Sequence, residues 1–120
     1  MKNELPVIER TYDLVKWFLG HVAKFPRSHR YSLGQRIESR LYDVLEQLIC
    51  AKYAQGGFKA GALEAVNLDL EVLRFLSRLA HEQALLPHKS HEYAARELNE
   101  IGRLVGGWLR QQRQASSGNG

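Results

Sequence analysis

Apolar residues in this chain recur three and four positions apart in four separate stretches, the spacing that lays one stripe along one face of a helix. The first stripe is Ile8, Tyr12, Val15, Leu19 and Val22, widened by Leu14 and Phe18, with Trp17 at its edge. The second is Leu33, Ile37, Leu41, Val44, Leu48 and Ala51. The third is Leu63, Val66, Leu70, Leu73 and Ala80, and the fourth Ala94, Leu98, Ile101, Val105 and Trp108. Helix-breaking chemistry falls between them. Pro26 disfavours helix at Phe25, Gln55-Gly56-Gly57 offers the left-handed conformation that closes a helix, and Leu86-Pro87 interrupts the last pair. No stretch alternates as a half-buried strand does. The pattern predicts helices over about 4–23, 31–54, 59–82 and 91–112, in one domain over 1–115 with a flexible tail at 116–120. Short connections between four helices make this an all-α, antiparallel up-down-up-down four-helix bundle.

Local signals add detail. Ser28 or Ser32 is a candidate cap for the second helix and Ser90 for the fourth. Gly20, Gly102, Gly106 and Gly107 each weaken a helix or admit a neighbour's close approach. The third helix carries a second apolar row, Leu68, Val72, Phe75, Leu76 and Leu79. That row and the Gly- and Trp-containing edge of the fourth helix are surplus to a single bundle and suggest contact with another subunit.

The 120 residues suffice for one modest core, and 44% hydrophobic with 25% charged residues is an ordinary globular balance. Cys50 is the single cysteine, which excludes a disulfide framework and a cysteine-based zinc site. Met1-Lys2-Asn3-Glu4 carries charge and no apolar core, so a signal peptide is not expected; nor is a membrane span, and the cytoplasm is the expected location.

The net charge of +4 permits an anionic partner. Its distribution is more informative than its size. Lys24, Arg27 and Arg30 gather at the first connection with no acid before Glu38, and Arg36 and Arg40 follow on the second helix. Arg103, Arg110 and Arg113 form another acid-free group, and Arg96, Arg103 and Arg110 recur every seven residues along the fourth helix. Up-down topology sets the two basic zones roughly 30 Å apart, at opposite ends of helices of about twenty residues. Such cations neutralise phosphates with steep salt dependence. They also suit helix C-termini and solvated loops. Arg27 and Arg30 are both expected to be exposed, and Tyr31 or Trp17 lies close enough to stack on bases.

Two arrangements of residues compete with this binding surface as catalytic readings. His21, His29, His81, His88 and His91 all fall near the first and third connections, hence at one end. They lack the cysteine or carboxylate company of a metal site, so loop histidines are the simpler reading and no metal or cofactor is expected. Arg74 and His81, seven apart, resemble the Arg-x4–6-His motif of the helical HEPN ribonucleases. That spacing recurs readily by chance on a helix. No glycine-rich phosphate loop, nucleophile elbow or paired-carboxylate constellation is present.

The run Phe25-Pro26-Arg27-Ser28-His29-Arg30-Tyr31-Ser32-Leu33-Gly34-Gln35-Arg36-Ile37 resembles the signature of the accessory variability determinant (Avd) proteins of diversity-generating retroelements. These belong with four-helix proteins encoded by intervening sequences in bacterial 23S ribosomal RNA genes. The likeness continues in Tyr42-Asp43-Val44-Leu45-Glu46-Gln47-Leu48-Ile49 and in Leu68-Asp69-Leu70-Glu71-Val72-Leu73-Arg74-Phe75-Leu76. The resemblance implies a barrel-shaped homopentamer that is not an enzyme. It would bind the retroelement's reverse transcriptase and template RNA or DNA, in support of mutagenic retrohoming. Arg27, Arg30, Arg36 and Arg40 are the surface candidates that fall on the matched run and the helix after it. Lys24, Arg96, Arg103, Arg110 and Arg113 extend the set by position alone. An intervening-sequence-type protein without a polymerase partner, or a HEPN-like ribonuclease, is the alternative.

Overall fold

A computed structural model describes residues 4–118, so the expectations placed on 1–3 and on 119–120 lie outside the described residues. Four long helices account for nearly all of it: α1 (Glu4–Val22), α2 (Gln35–Tyr53), α3 (Gly57–Glu82) and α4 (His88–Gly118). A helical turn at Arg27–His29 and a π-helical stretch at Arg30–Gly34 lead into α2. There is no strand among the described residues. The helices pack in sequence order, α1 on α2, α2 on α3 and α3 on α4, and α4 closes back on α1. The result is an elongated body of 53 × 23 × 20 Å. α4 is longer than its stripe suggested. It takes in residues 116–118, which were expected in the tail.

The core is a single cluster running the length of the bundle. The stripes of α2, α3 and α4 face it as expected, with Ile37, Leu41, Val44, Leu48 and Ala51; Leu63, Val66, Leu70, Leu73 and Ala80; and Ala94, Leu98, Ile101, Val105 and Trp108 all buried. The exception is Leu33, expected at the head of the second stripe, which lies on the π-helical stretch and is only half-buried. On α1 the inward face is turned relative to the apolar reading. It consists of Val7, Thr11, Leu14, Val15, Phe18 and Val22, while Tyr12 is exposed and Ile8 and Leu19 are half-buried. The reason is Thr11. Its hydroxyl donates to the Val7 carbonyl at 2.8 Å, so the polar atom is satisfied within the helix and the residue can sit in the core.

The first connection is a packed corner. Phe25 is buried and plugs that end of the bundle. Pro26 is extended at ψ 149°, and its carbonyl accepts the amides of His29 and Arg30. Neither serine caps: the Ser32 hydroxyl donates back to the Ser28 carbonyl at 3.0 Å. Gly34 makes the corner possible. A Cβ there would lie 2.7 Å from Val22 Cγ1, so only glycine lets the chain pass this close to the end of α1.

The other connections differ in chemistry. Gly56, at φ +58°, ψ −131°, opens α3 rather than closing α2, whose end falls at Tyr53 with Ala54 extended. α3 ends with Ala84 at φ +61°. The Leu85 amide reaches back to the Ala80 carbonyl and the Ala84 amide to that of His81, the bonding of a left-handed helix cap. α4 begins at His88, so Ser90 lies inside its first turn and is not its cap. Gly20 faces open space rather than a neighbouring helix.

Candidate nucleic-acid interface

Of the nine candidate cations, four are taken up in ion pairs. Arg40 donates to Asp69 at 2.9 Å across the α2–α3 seam. Asp69 is only 8% exposed, so this pair joins two helices in a partly desolvated setting. Arg113 reaches Glu64 of α3 at 2.8 Å, and Arg96 pairs with Glu92 one turn back on α4. Arg103 binds Glu100; their hydrogen bond raises the guanidinium pKa and lowers that of the carboxyl. The heptad row of α4 is therefore largely neutralised by its own helix.

Lys24, Arg27, Arg36 and Arg110 are exposed and have no acid within ion-pair distance among the described residues. Arg30 differs from expectation. It is half-buried, and its guanidinium donates to the Phe25 carbonyl at 3.3 Å, so part of its role is to hold the corner. Three exposed, unpaired cations and one anchored arginine thus surround the first connection. Arg110 stands apart with Arg103, Gln111 and Gln114 around a shallow polar groove near the C-terminal end of α4.

Three of the five histidines form a cluster. His81, His88 and His91 converge at the α3–α4 corner. The His81 and His91 rings stack 4.7 Å apart, and His88 lies 6.0 Å from His81. His81 Nδ1 lies 2.8 Å from the Leu86 carbonyl, which fixes the ring against the loop. Burial holds the His91 pKa below its ordinary value; His81 and His88 lower it further and Glu82 opposes them. His21 is outside that cluster but near it: it stacks on Trp17 at 3.9 Å, with its Nδ1 2.9 Å from the Trp17 carbonyl, and the Trp17 ring lies 5.0 Å from Tyr93 of α4. No cluster among the described residues has the arrangement to hold a metal ion.

Arg74 and His81 are engaged separately. Arg74 donates to Asn99 of α4 at 3.0 Å and its guanidinium lies over Gly102, where a Cβ would come within 2.8 Å of it. Gly102 therefore admits a side chain from α3, not a second backbone. Trp108 is fully buried and belongs to the core, whereas Gly106 is half-buried and faces open space, and Gly107 lines the polar groove beside Arg110. The surplus apolar row of α3 is the feature that stays outside: Leu68 is 65% exposed and Phe75 60%, with Leu79 exposed and Val72 and Leu76 half-buried. Sequence reading did not register a further open apolar patch on α2, formed by Tyr42, Leu45 and Ile49. Their spacing of three and four was the available signal, obscured by the longer stripe beside it.

Fold and surface together define a class: a four-helix bundle with a basic corner and apolar residues left on its outside. The family model described as bAvd-like matches residues 6–112, nearly the whole of that bundle, and the chain belongs to this family. No curated protein and no solved structure matches the chain. No helix among the described residues is long and apolar enough to cross a membrane.

Proposed function

We propose that this protein is a non-catalytic accessory factor of a diversity-generating retroelement, binding the reverse transcriptase and its template RNA or DNA in support of mutagenic retrohoming. The observation that carries the reading is the basic corner of a bAvd-like bundle, where Lys24, Arg27 and Arg36 are exposed with no acid in ion-pair distance among the described residues. Unspent cations on a rigid corner suit phosphates or the acidic surface of a partner. Arg30 contributes by fixing the corner's shape. The ion-paired Arg40, Arg96, Arg103 and Arg113 contribute less, and Arg110 forms a separate, smaller contact.

The working form is a homopentamer. A closed ring needs two different faces per subunit, each meeting the other on the next copy. Leu68, Val72, Phe75 and Leu76 of α3 and the Tyr42–Leu45–Ile49 patch of α2 supply two apolar surfaces. Arg74 and His81 are each committed to contacts within the bundle, which favours the non-catalytic reading over a HEPN-like ribonuclease. The deciding experiment is a pull-down of the cognate reverse transcriptase by tagged protein, with and without RNA, alongside light scattering. Capture of the polymerase by a pentamer supports the proposal; a monomer that captures neither polymerase nor RNA at low salt overturns it.

A further inference from the structure

The two aromatic residues beside the basic corner are in different situations. Trp17 is occupied by other rings: it stacks on His21, meets Phe18 edge-on at 4.9 Å and lies 5.0 Å from Tyr93. Tyr31 packs on no other ring among the described residues and is 66% exposed. It stands on the π-helical stretch, a local widening often found at functional positions. The Arg30 guanidinium, anchored on the Phe25 carbonyl, lies 6.0 Å from the centre of the Tyr31 ring and supports it from one side.

Beside Tyr31 opens a groove of about 610 Å³ between the start of α2 and the end of α3. Leu33 and Leu79 give it apolar walls. Ser32, Gln35 and Ser39 supply donors and acceptors, and Arg36 supplies an unpaired charge. Its size falls within the roughly 300–1,000 Å³ of small-molecule sites. We propose that this groove takes one unstacked base of a single-stranded nucleic acid. Tyr31 is the stacking surface, and Arg36 and Arg27 neutralise the flanking phosphates. The inference rests on the nucleic-acid reading of the basic corner and adds a choice of strand state.

The chemistry favours a single strand. Stacking on an aromatic ring tolerates any base, because every base has a π face. Hydroxyl and amide groups can meet donors and acceptors on a splayed base edge. In a duplex those faces are already stacked, so a duplex can meet the cations but not the ring. The charge around the groove selects a polyanion over an apolar occupant: Arg36 lines it, Arg27 is near in the chain, and neither is paired with an acid among the described residues.

The test uses the full chain with a fluorescein-labelled oligouridine and a duplex RNA of equal length, followed by anisotropy at low salt. Tyr31→Ala weakens oligouridine binding roughly tenfold and leaves duplex binding unchanged. Tyr31→Phe and Tyr31→Trp keep the single-strand affinity, whereas Arg27→Gln weakens both probes alike. Equal loss for both probes in Tyr31→Ala, or no loss for oligouridine, overturns the proposal. So does a change of mass by light scattering in Tyr31→Ala, which makes the groove a subunit contact. Wild-type protein that binds only duplex overturns this inference and leaves the basic-corner reading standing; wild-type protein that binds neither probe overturns both.

Discussion

Single residues decide how the basic corner is built. Gly34 is required by space: the 2.7 Å approach to Val22 Cγ1 and 3.3 Å to the His29 carbonyl leave no room for a methyl group. Gly34→Ala is expected to cost about 1–3 kcal/mol through overpacking. Gly20→Ala is the matched control. That position faces open space on a helix surface, so the substitution should stabilise by roughly 0.5–1 kcal/mol through helix propensity. Urea melts of both variants check the pair, and equal shifts would refute the close approach. Thr11 and Gly102 carry a related lesson. One is polar yet buried, because its hydroxyl bonds within the helix. The other is a glycine whose missing side chain makes room for Arg74. Neither relation is written in the spacing of apolar residues.

At the scale of elements, the α3–α4 corner concentrates the local strain and the titrating groups. Ala84 adopts a left-handed conformation that an alanine holds at a cost of roughly 1–2 kcal/mol. Ala84→Gly relieves it, offset in part by the greater freedom of glycine in the unfolded chain. The net expectation is a gain of about 0.5–1 kcal/mol, read as a higher urea midpoint. The same corner makes stability depend on pH. The folded-state pKa of His91 is lowered, first by burial and then by His81 and His88. The neutral imidazole's contribution is therefore intact above the unfolded value of 6.5 and fades as the pH falls below it. Midpoints measured at neutral and mildly acidic pH should fall further for wild type than for His91→Gln. A parallel decline in the two proteins would remove His91 from the explanation.

For the molecule as a whole, the question is what covers the outside of α3. Leu68 and Phe75 are left in water by a lone bundle, with Val72 and Leu76 half-buried beside them, and full burial of an exposed side chain of this kind contributes roughly 1.5–3 kcal/mol. Phe75→Glu places a charge in that row without touching the core. On the homopentamer proposed above, it is expected to give smaller species in light scattering while the helical signal in circular dichroism is unchanged. A mass identical to wild type would exclude this row from the subunit contact.

The sequence by itself determined the four helices, the positions of their connections and the inward faces of α2, α3 and α4. Those features rest on apolar periodicity and on proline and glycine chemistry, both local along the chain. It also marked the residues of the Phe25–Ile37 run, whose family is the bAvd-like one. The turned face of α1 escaped it, because a threonine that satisfies its own hydroxyl does not look like core. The acids that pair with Arg96 and Arg103 lie four and three positions away on their own helix, but only the tertiary structure decided the fate of Arg40, Arg113 and Arg30. Arg40 and Arg113 meet acids 29 and 49 positions away, on a neighbouring helix, and Arg30 turns inward onto a backbone carbonyl. It alone separated Trp17, enclosed by His21, Phe18 and Tyr93, from the exposed Tyr31. Where the partner lies on another helix, as for Arg40, Arg113 and the Trp17–Tyr93 contact, the physical reason is that spacing within one helix does not report what the next helix brings to meet it.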